Sequence, residues 1–196
     1  MDKARIFLAG VGGQGTLTAT TLLARTALDE GAPVTSGEIH GMAQRGGVVE
    51  STVLIGGYAS PRIDHGEADI LLGFEPLETL RALPYLHETG TIFSNQDILP
   101  PPGVALGREQ YPETADMETK IRACADTVTF LPCFALARQA GSVLTANMVL
   151  LGALFGAGVL PFGFEALERS IRSYLKPAIV DINIAAAHLG RQAGAA

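Results

Sequence analysis

Arg5-Ile-Phe-Leu-Ala-Gly-Val-Gly-Gly-Gln-Gly15, running into Thr16 to Leu28, is the stretch whose reading decides the fold. Arg5 to Ala9 reads as a short buried strand. Gly10 to Gly15 contains G-x-G-x-x-G, with Gly13 an additional glycine. Leu17, Leu22, Leu23 and Ala27 then recur at helical spacing, and Gly31 stops the helix. A strand, a glycine loop and a helix in that order open a doubly wound α/β unit. Missing Cβ atoms let the backbone turn tightly and let an anion approach the free N–H groups of the helix N-terminus, where the macrodipole favours negative charge. Such loops also serve as plain strand–helix turns, and this one alone does not decide between the two uses. Gly10, Gly12, Gly13, Gln14 and Gly15 are the candidate cofactor-binding residues.

Downstream, Ala32 to Ser36 reads as a second short strand and Gly37 to Gly47 as a polar loop. Val48 to Ile55 is a β-rich run, and Gly56-Gly57 is read as turning it back as a hairpin through Tyr58 to Ile63. Strands are expected at Ala68 to Gly73, Thr91 to Ser94 and Thr127 to Leu131. Helices are expected at Pro76 to Leu86, Thr114 to Ala125, Cys133 to Ala140, Thr145 to Phe155, Phe164 to Leu175 and Ile179 to Leu189. Asn95 to Tyr111, with Pro100-Pro101-Pro102 at its centre, reads as irregular. The alternation predicts one α/β domain over residues 1–196: a Rossmann-like, mainly parallel sheet with helices on both faces and a β-hairpin insertion.

The second informative stretch is Ser36-Gly-Glu-Ile-His-Gly-Met-Ala-Gln-Arg-Gly-Gly47. It gathers a carboxylate, an imidazole, an amide and a guanidinium among glycines, which suits a site or an interface better than core packing. Arg45 ahead of two glycines offers a fork of donors and backbone N–H groups to a phosphate or carboxylate. Glu38, His40, Gln44, Arg45, Gly46 and Gly47 are therefore read as a substrate or subunit-interface loop. Glu38 also stands near the spacing at which a nicotinamide site places its ribose acid. The loop around it is no ordinary ribose turn, which ranks a stand-alone NAD-dependent dehydrogenase last.

Composition narrows the class further. Charged residues make up 17% of the 196, below the roughly 25% of an average domain, and 47% are hydrophobic. Either a partner covers apolar surface or a well-filled core lies under an Ala/Gly-rich exterior. Net charge is −6 with no basic run, so nucleic acid is not expected as a ligand. Cys124 and Cys133 form no CxxC, so no iron–sulfur cassette or zinc knuckle is expected and no metal site is assigned. Two isolated thiols suit a reducing cytosol. The N-terminal apolar run breaks at glycines at once, unlike a signal peptide. Gly141 to Phe164 carries no charge but is interrupted by Asn147, Pro161 and glycines, and reads as a buried helix and turn rather than a membrane span. A cytoplasmic location is expected, and no residue is assigned as catalytic.

Together, Gly10-Val-Gly-Gly-Gln-Gly15 and the segment from Ser36 to Gly47 resemble the gamma-type subunit of 2-oxoacid:ferredoxin oxidoreductases. The form His40-Gly-Met-Ala-Gln-Arg-Gly-Gly47 is most similar to the beta subunit of the indolepyruvate enzymes. The resemblance continues through Ala68 to Gly73, Pro102 with Gly107, Tyr111-Pro112, Asn147 with Gly152, and Lys176 with Asn183. Thr16-Leu17-Thr18 departs from it in being more polar than the aliphatic residues expected there. The resemblance implies a non-redox subunit of an enzyme that oxidatively decarboxylates indolepyruvate or another aryl pyruvate to an acyl-CoA. It places thiamine diphosphate and iron–sulfur clusters on a large partner subunit and passes electrons to ferredoxin. It leaves coenzyme A as a candidate at a shared site and the isolated chain as a candidate homodimer. The alternative is a stand-alone nucleotide or coenzyme A binding module.

Overall fold

The computed structural model describes residues 3–40 and 47–195. The expected opening strand is β1 (Ala4–Val11), and the helix after the glycine loop is α1 (Thr16–Asp29). The chain continues through β2 (Val34–His40), β3 (Val48–Ile55), β4 (Ala68–Gly73), α2 (Pro76–Ala82) and β5 (Leu86–Asn95). A short α3 (Pro102–Ala105) and α4 (Thr114–Arg122) precede β6 (Thr127–Leu131). The carboxyl-terminal third is helical, with α5 (Cys133–Ala140), α6 (Ala146–Gly156), α7 (Phe164–Tyr174) and α8 (Pro177–Gly194).

The six strands form one sheet in the order β2-β3-β1-β4-β5-β6. β1, β4, β5 and β6 pair in parallel, whereas β3 is antiparallel to both β1 and β2. The sheet is therefore mixed, which corrects the expectation of a mainly parallel one. The expected hairpin insertion is corrected as well. Val49, Val53, Leu54 and Ile55 are buried, so β3 carries apolar groups to both faces. That pattern belongs to an interior strand, and β3 lies between β2 and β1 rather than outside the sheet. Tyr58 to Ile63 forms no strand. Pro61 has no N–H to give to a ladder. The segment is held instead by side chains, with Thr35 Oγ1 donating to the Tyr58 carbonyl and Thr52 Oγ1 to that of Pro61 (2.6 Å).

One face of the sheet is covered by α1, α5, α6, α7 and α8, and the other by α2 and α4. The first layer holds the larger core, in which Ile6, Leu8, Leu72 and Phe93 meet Leu23, Leu150 and Phe155. Each such side chain contributes about 1.5–3 kcal/mol on burial. Every residue from Asn147 to Phe155 of α6 is buried, as the uncharged stretch predicted. On the second face, residues 56–67, not a helix, lie against β2 and β3.

Candidate functional site

Five of the six strands run the same way, so their carboxyl ends share one edge of the sheet. From that edge α1 turns to one face and α2 to the other. β1 and β4 thus flank a topological switch point, the place where open α/β sheets bind ligands. The glycine loop sits there. Gly13 (φ 105°) and Gly15 (φ 77°) take the left-handed conformation that favours glycine. A Cβ on Gly15 would also lie 2.6 Å from Asn147 Nδ2, and Asn147 donates to the Gly15 carbonyl at 3.2 Å.

Gln14 folds back into its own loop. Its Oε1 accepts from Val11 N–H and its Nε2 donates to the Phe74 carbonyl, both at 2.8 Å. The same carbonyl accepts from Asn95 Nδ2 at 3.1 Å, and Asn95 Oδ1 accepts from Cys133 N–H at 3.3 Å. A line of amides thus joins the ends of β1, β4, β5 and β6. Above it lies a cavity of about 180 Å³ lined by Gly13, Gln14, Phe74, Asn95, Phe134 and Leu144, among others. That is smaller than the 300–1,000 Å³ of cavities that enclose drug-sized ligands. It suits a group the size of a phosphate or one side chain, not a whole dinucleotide. Thr16 Oγ1, in the first turn of α1, is buried with no hydrogen-bond partner.

The second predicted segment meets the first. Gly12 N–H donates to the Gly47 carbonyl at 2.9 Å. The β1–β3 register places Val11 opposite Val48, and the β2–β3 register places His40 opposite Val49. Gly47 and the backbone of His40 therefore stand at the same edge as the glycine loop. Gln44, Arg45 and Gly46 lie outside the described residues. Glu38 is on β2, with β3 between it and β1. A ribose acid would need its strand beside the glycine loop, so the nicotinamide arrangement is not present. Gly37 and Glu38 instead line a second cavity, of about 790 Å³, with Phe7, Glu50, Ser51, Thr52, residues 61–65 and Tyr85.

Sequence reasoning missed the most enclosed charges. Glu75 follows β4 and is fully buried. Its carboxylate caps α2, accepting from Leu77 N–H (2.7 Å) and Glu78 N–H (3.1 Å), and also from Leu99 N–H (3.4 Å) and the Tyr111 hydroxyl. Burial and the hydrogen bond to Glu75 push the Tyr111 phenol well above its ordinary value. Glu78 is 2% exposed. Its Oε1 accepts from Arg81 (2.7 Å), but its Oε2 has no hydrogen-bond partner. Burial raises its carboxyl above the usual range, with Glu75 and Glu50 adding to the rise and Arg81 opposing it. The signal in the sequence was Glu75-Pro76 directly after a strand, a helix cap with proline at the first turn. Burial raises the Cys133 thiol as well, which keeps it protonated and inert. Among the described residues no group of three His, Cys, Asp or Glu side chains is placed to hold a metal, and no helix is long and apolar enough to cross a membrane.

Residues 5–193 match the family model described as pyruvate ferredoxin/flavodoxin oxidoreductase. The chain is 40% identical over 188 residues to indolepyruvate oxidoreductase subunit IorB of Archaeoglobus fulgidus, covering 96% of this chain and 94% of that one. It is 39% identical to the subunit of the same name from Pyrococcus horikoshii, over 98% of this chain and 96% of that one. Among solved structures, the gamma subunit of a keto/oxoacid ferredoxin oxidoreductase from Geobacter sulfurreducens superposes with a TM-score of 0.72 over 98% of both chains. At 23% identity that likeness is one of fold.

Proposed function

Since the chain belongs to the pyruvate ferredoxin/flavodoxin oxidoreductase family, as a gamma-type subunit of a 2-oxoacid:ferredoxin oxidoreductase, we propose that it is the non-redox subunit of an enzyme acting on indolepyruvate or another aryl pyruvate. The observation that carries the substrate class is near-full-length identity of 35 to 40% to four indolepyruvate oxidoreductase subunits. In this reading thiamine diphosphate and the iron–sulfur clusters are held by a large partner subunit. When bound there, they supply decarboxylation of the 2-oxoacid and the transfer of its electrons to ferredoxin.

This chain contributes a wall. The glycine loop and Gly47, joined by the Gly12–Gly47 hydrogen bond, form its crest. The pairing of Gln14 with Val11 and Phe74 makes that crest stiff rather than open. A stiff, glycine-lined edge lets another chain or the tail of coenzyme A approach the backbone closely. Glu38, His40, Gln44, Arg45, Gly46 and Gly47 are proposed as the contact loop, and Gly10, Gly12, Gly13, Gln14 and Gly15 as the loop facing an anion.

Co-expression with a large thiamine-binding subunit should yield a stable complex that reduces ferredoxin with indolepyruvate and coenzyme A. A chain that stays unbound to every such partner would falsify this reading. Arg45→Ala should lower assembly or turnover of the complex and leave the melting temperature of the isolated chain within about 1 °C, as loop charges away from buried networks contribute little. The 790 Å³ cavity keeps a second reading in play, a stand-alone nucleotide or coenzyme A binding module. Calorimetry on the isolated chain separates the two. Micromolar binding of coenzyme A with no partner present favours the module.

A further inference from the structure

The glycine loop holds a donor that an anion would use, and the chain uses it itself. Val11 N–H, at the end of β1, donates to Gln14 Oε1 at 2.8 Å. At the other side of the same carboxamide, Nε2 donates to the Phe74 carbonyl, also at 2.8 Å. Gly10 makes the room for this arrangement. A Cβ there would lie 3.1 Å from Gln14 Oε1 and 2.8 Å from Thr16 Oγ1. The Thr16 hydroxyl therefore opens on the space that the carboxamide fills. Thr16 is 2% exposed, and its Oγ1 makes no hydrogen bond. A buried hydroxyl in that state is costly, and one kept beside a helix N-terminus marks a place short of an acceptor. Of the other loop N–H groups, those of Gly12 and Gln14 are spent on the Gly47 and Val11 carbonyls. No described residue accepts from Gly13 or Gly15.

The place Gln14 occupies thus offers two donors, Val11 N–H and the Thr16 hydroxyl, and one acceptor, the Phe74 carbonyl, which also takes Asn95 Nδ2. A carboxamide answers the backbone donor with its oxygen and the carbonyl with its nitrogen, and carries no charge. A fully ionised oxyanion answers the donors but sets a like partial charge against the Phe74 oxygen. Hydrogen phosphate answers all three groups, because its P–OH donates where Gln14 Nε2 now does. It also carries the sign of charge that the N-terminus of α1 favours. The 180 Å³ cavity is lined by both Gln14 and Phe74, so this place adjoins open space.

We propose that the Gln14 carboxamide is the built-in occupant of a hydrogen-phosphate seat, and that it keeps the glycine loop of the free chain closed to small anions. This rests on the reading of Gly10 to Gly15 as a loop that faces an anion. In the closed loop the N–H groups of Gly13 and Gly15 are what remains for coenzyme A or a partner chain to meet. An anion enters further only by displacing Gln14.

The test is amide NMR of the full chain in phosphate-free buffer, titrated with inorganic phosphate and, separately, with sulfate. The wild type is compared with Gln14→Ala and with Gln14→Ala combined with Thr16→Val. Gln14→Ala should bind phosphate at least tenfold more tightly than wild type, with the Val11 and Thr16 amides shifting. Sulfate, which has no proton to give the Phe74 carbonyl, should bind it more weakly than phosphate. Adding Thr16→Val should remove most of the gain. If wild type binds phosphate as tightly as Gln14→Ala, Gln14 is no occupant and the proposal is overturned, while the anion-facing reading of the loop stands. If neither chain binds phosphate, that reading falls and the proposal with it. Where Gln14→Ala does not fold, the wild type still decides. Slow exchange of the Val11 N–H, unchanged by phosphate, supports the closed loop, and a phosphate-induced shift of that amide overturns it.

Discussion

A fully buried carboxylate is tolerated only where donors replace its water, and Glu75 meets that condition with three backbone N–H groups and the Tyr111 hydroxyl. Tyr111→Phe removes one donor from a charged acceptor, and the expected cost is about 1.5–3 kcal/mol. Urea denaturation checks this as a lower midpoint at unchanged slope. Glu78 presents the opposite case, with one oxygen left unpaired. Burial raises its carboxyl, so the folded chain binds this proton more tightly than the unfolded chain. That contribution to stability is complete below the unfolded value and is lost as pH rises through the folded one. Glu78→Gln has no charge to bury. Its melting temperature relative to wild type should therefore climb as pH rises above the ordinary carboxylate range. A difference that stays flat with pH would show that Arg81 compensates the charge fully. None of this was legible in the sequence beyond the Glu75-Pro76 cap, because Tyr111 and Glu75 are 36 positions apart and meet only in the fold. Gln14 was legible as a loop residue, but its inward turn was not, because the acceptor it finds is the carbonyl of Phe74, 60 positions on and just past the end of β4.

At the scale of elements, helices were read more faithfully than strand partners. The expected bounds of β6 and α5 agree with the structure, and those of α6 and α7 are off by one residue at either or one end. Helical spacing is a local signal, whereas the placement of β3 depends on which strand it meets. The loop expected at Gly37 to Gly47 overlaps the last four residues of β2, since Gly37 to His40 pairs along β3. Polar and glycine-rich composition hid that strand. The packing of α6 on α8 was equally hidden. A Cβ on Gly190 would stand 1.8 Å from the Val149 carbonyl oxygen, and one on Gly152 would stand 2.0 Å from that of Ala187. In a free helix Gly→Ala gains about 1 kcal/mol. Here Gly190→Ala must push the two helices apart, and the expected result is a loss of roughly 1–3 kcal/mol. Equilibrium unfolding that shows a gain would mean the helices are not in contact.

For the whole molecule, composition left two ways to use 47% hydrophobic residues, and the structure favours the filled core. Leu28, Leu106 and Leu144 are more than half exposed, and they lie far apart in the chain, in α1, just after α3 and just before α6. Single exposed leucines are ordinary. What the isolated chain leaves unresolved is charge. Glu78 is buried with one oxygen unpartnered, and the Ser51 and Thr16 hydroxyls are likewise buried without hydrogen-bond partners. Buried groups of this kind lower the stability of a free chain and are relieved when a partner supplies donors. The expected outcome is a chain whose stability depends on its assembly. With the proposed large partner subunit present at about 100 times its dissociation constant, linkage alone adds about 2.7 kcal/mol, seen as a higher melting temperature that rises with partner concentration. If the partner binds yet the added stability shrinks in Glu78→Gln, the half-unpartnered carboxylate is a source of the coupling. If the gain is the same in both chains, coupling runs through the glycine-lined crest instead, where Gly12 meets Gly47.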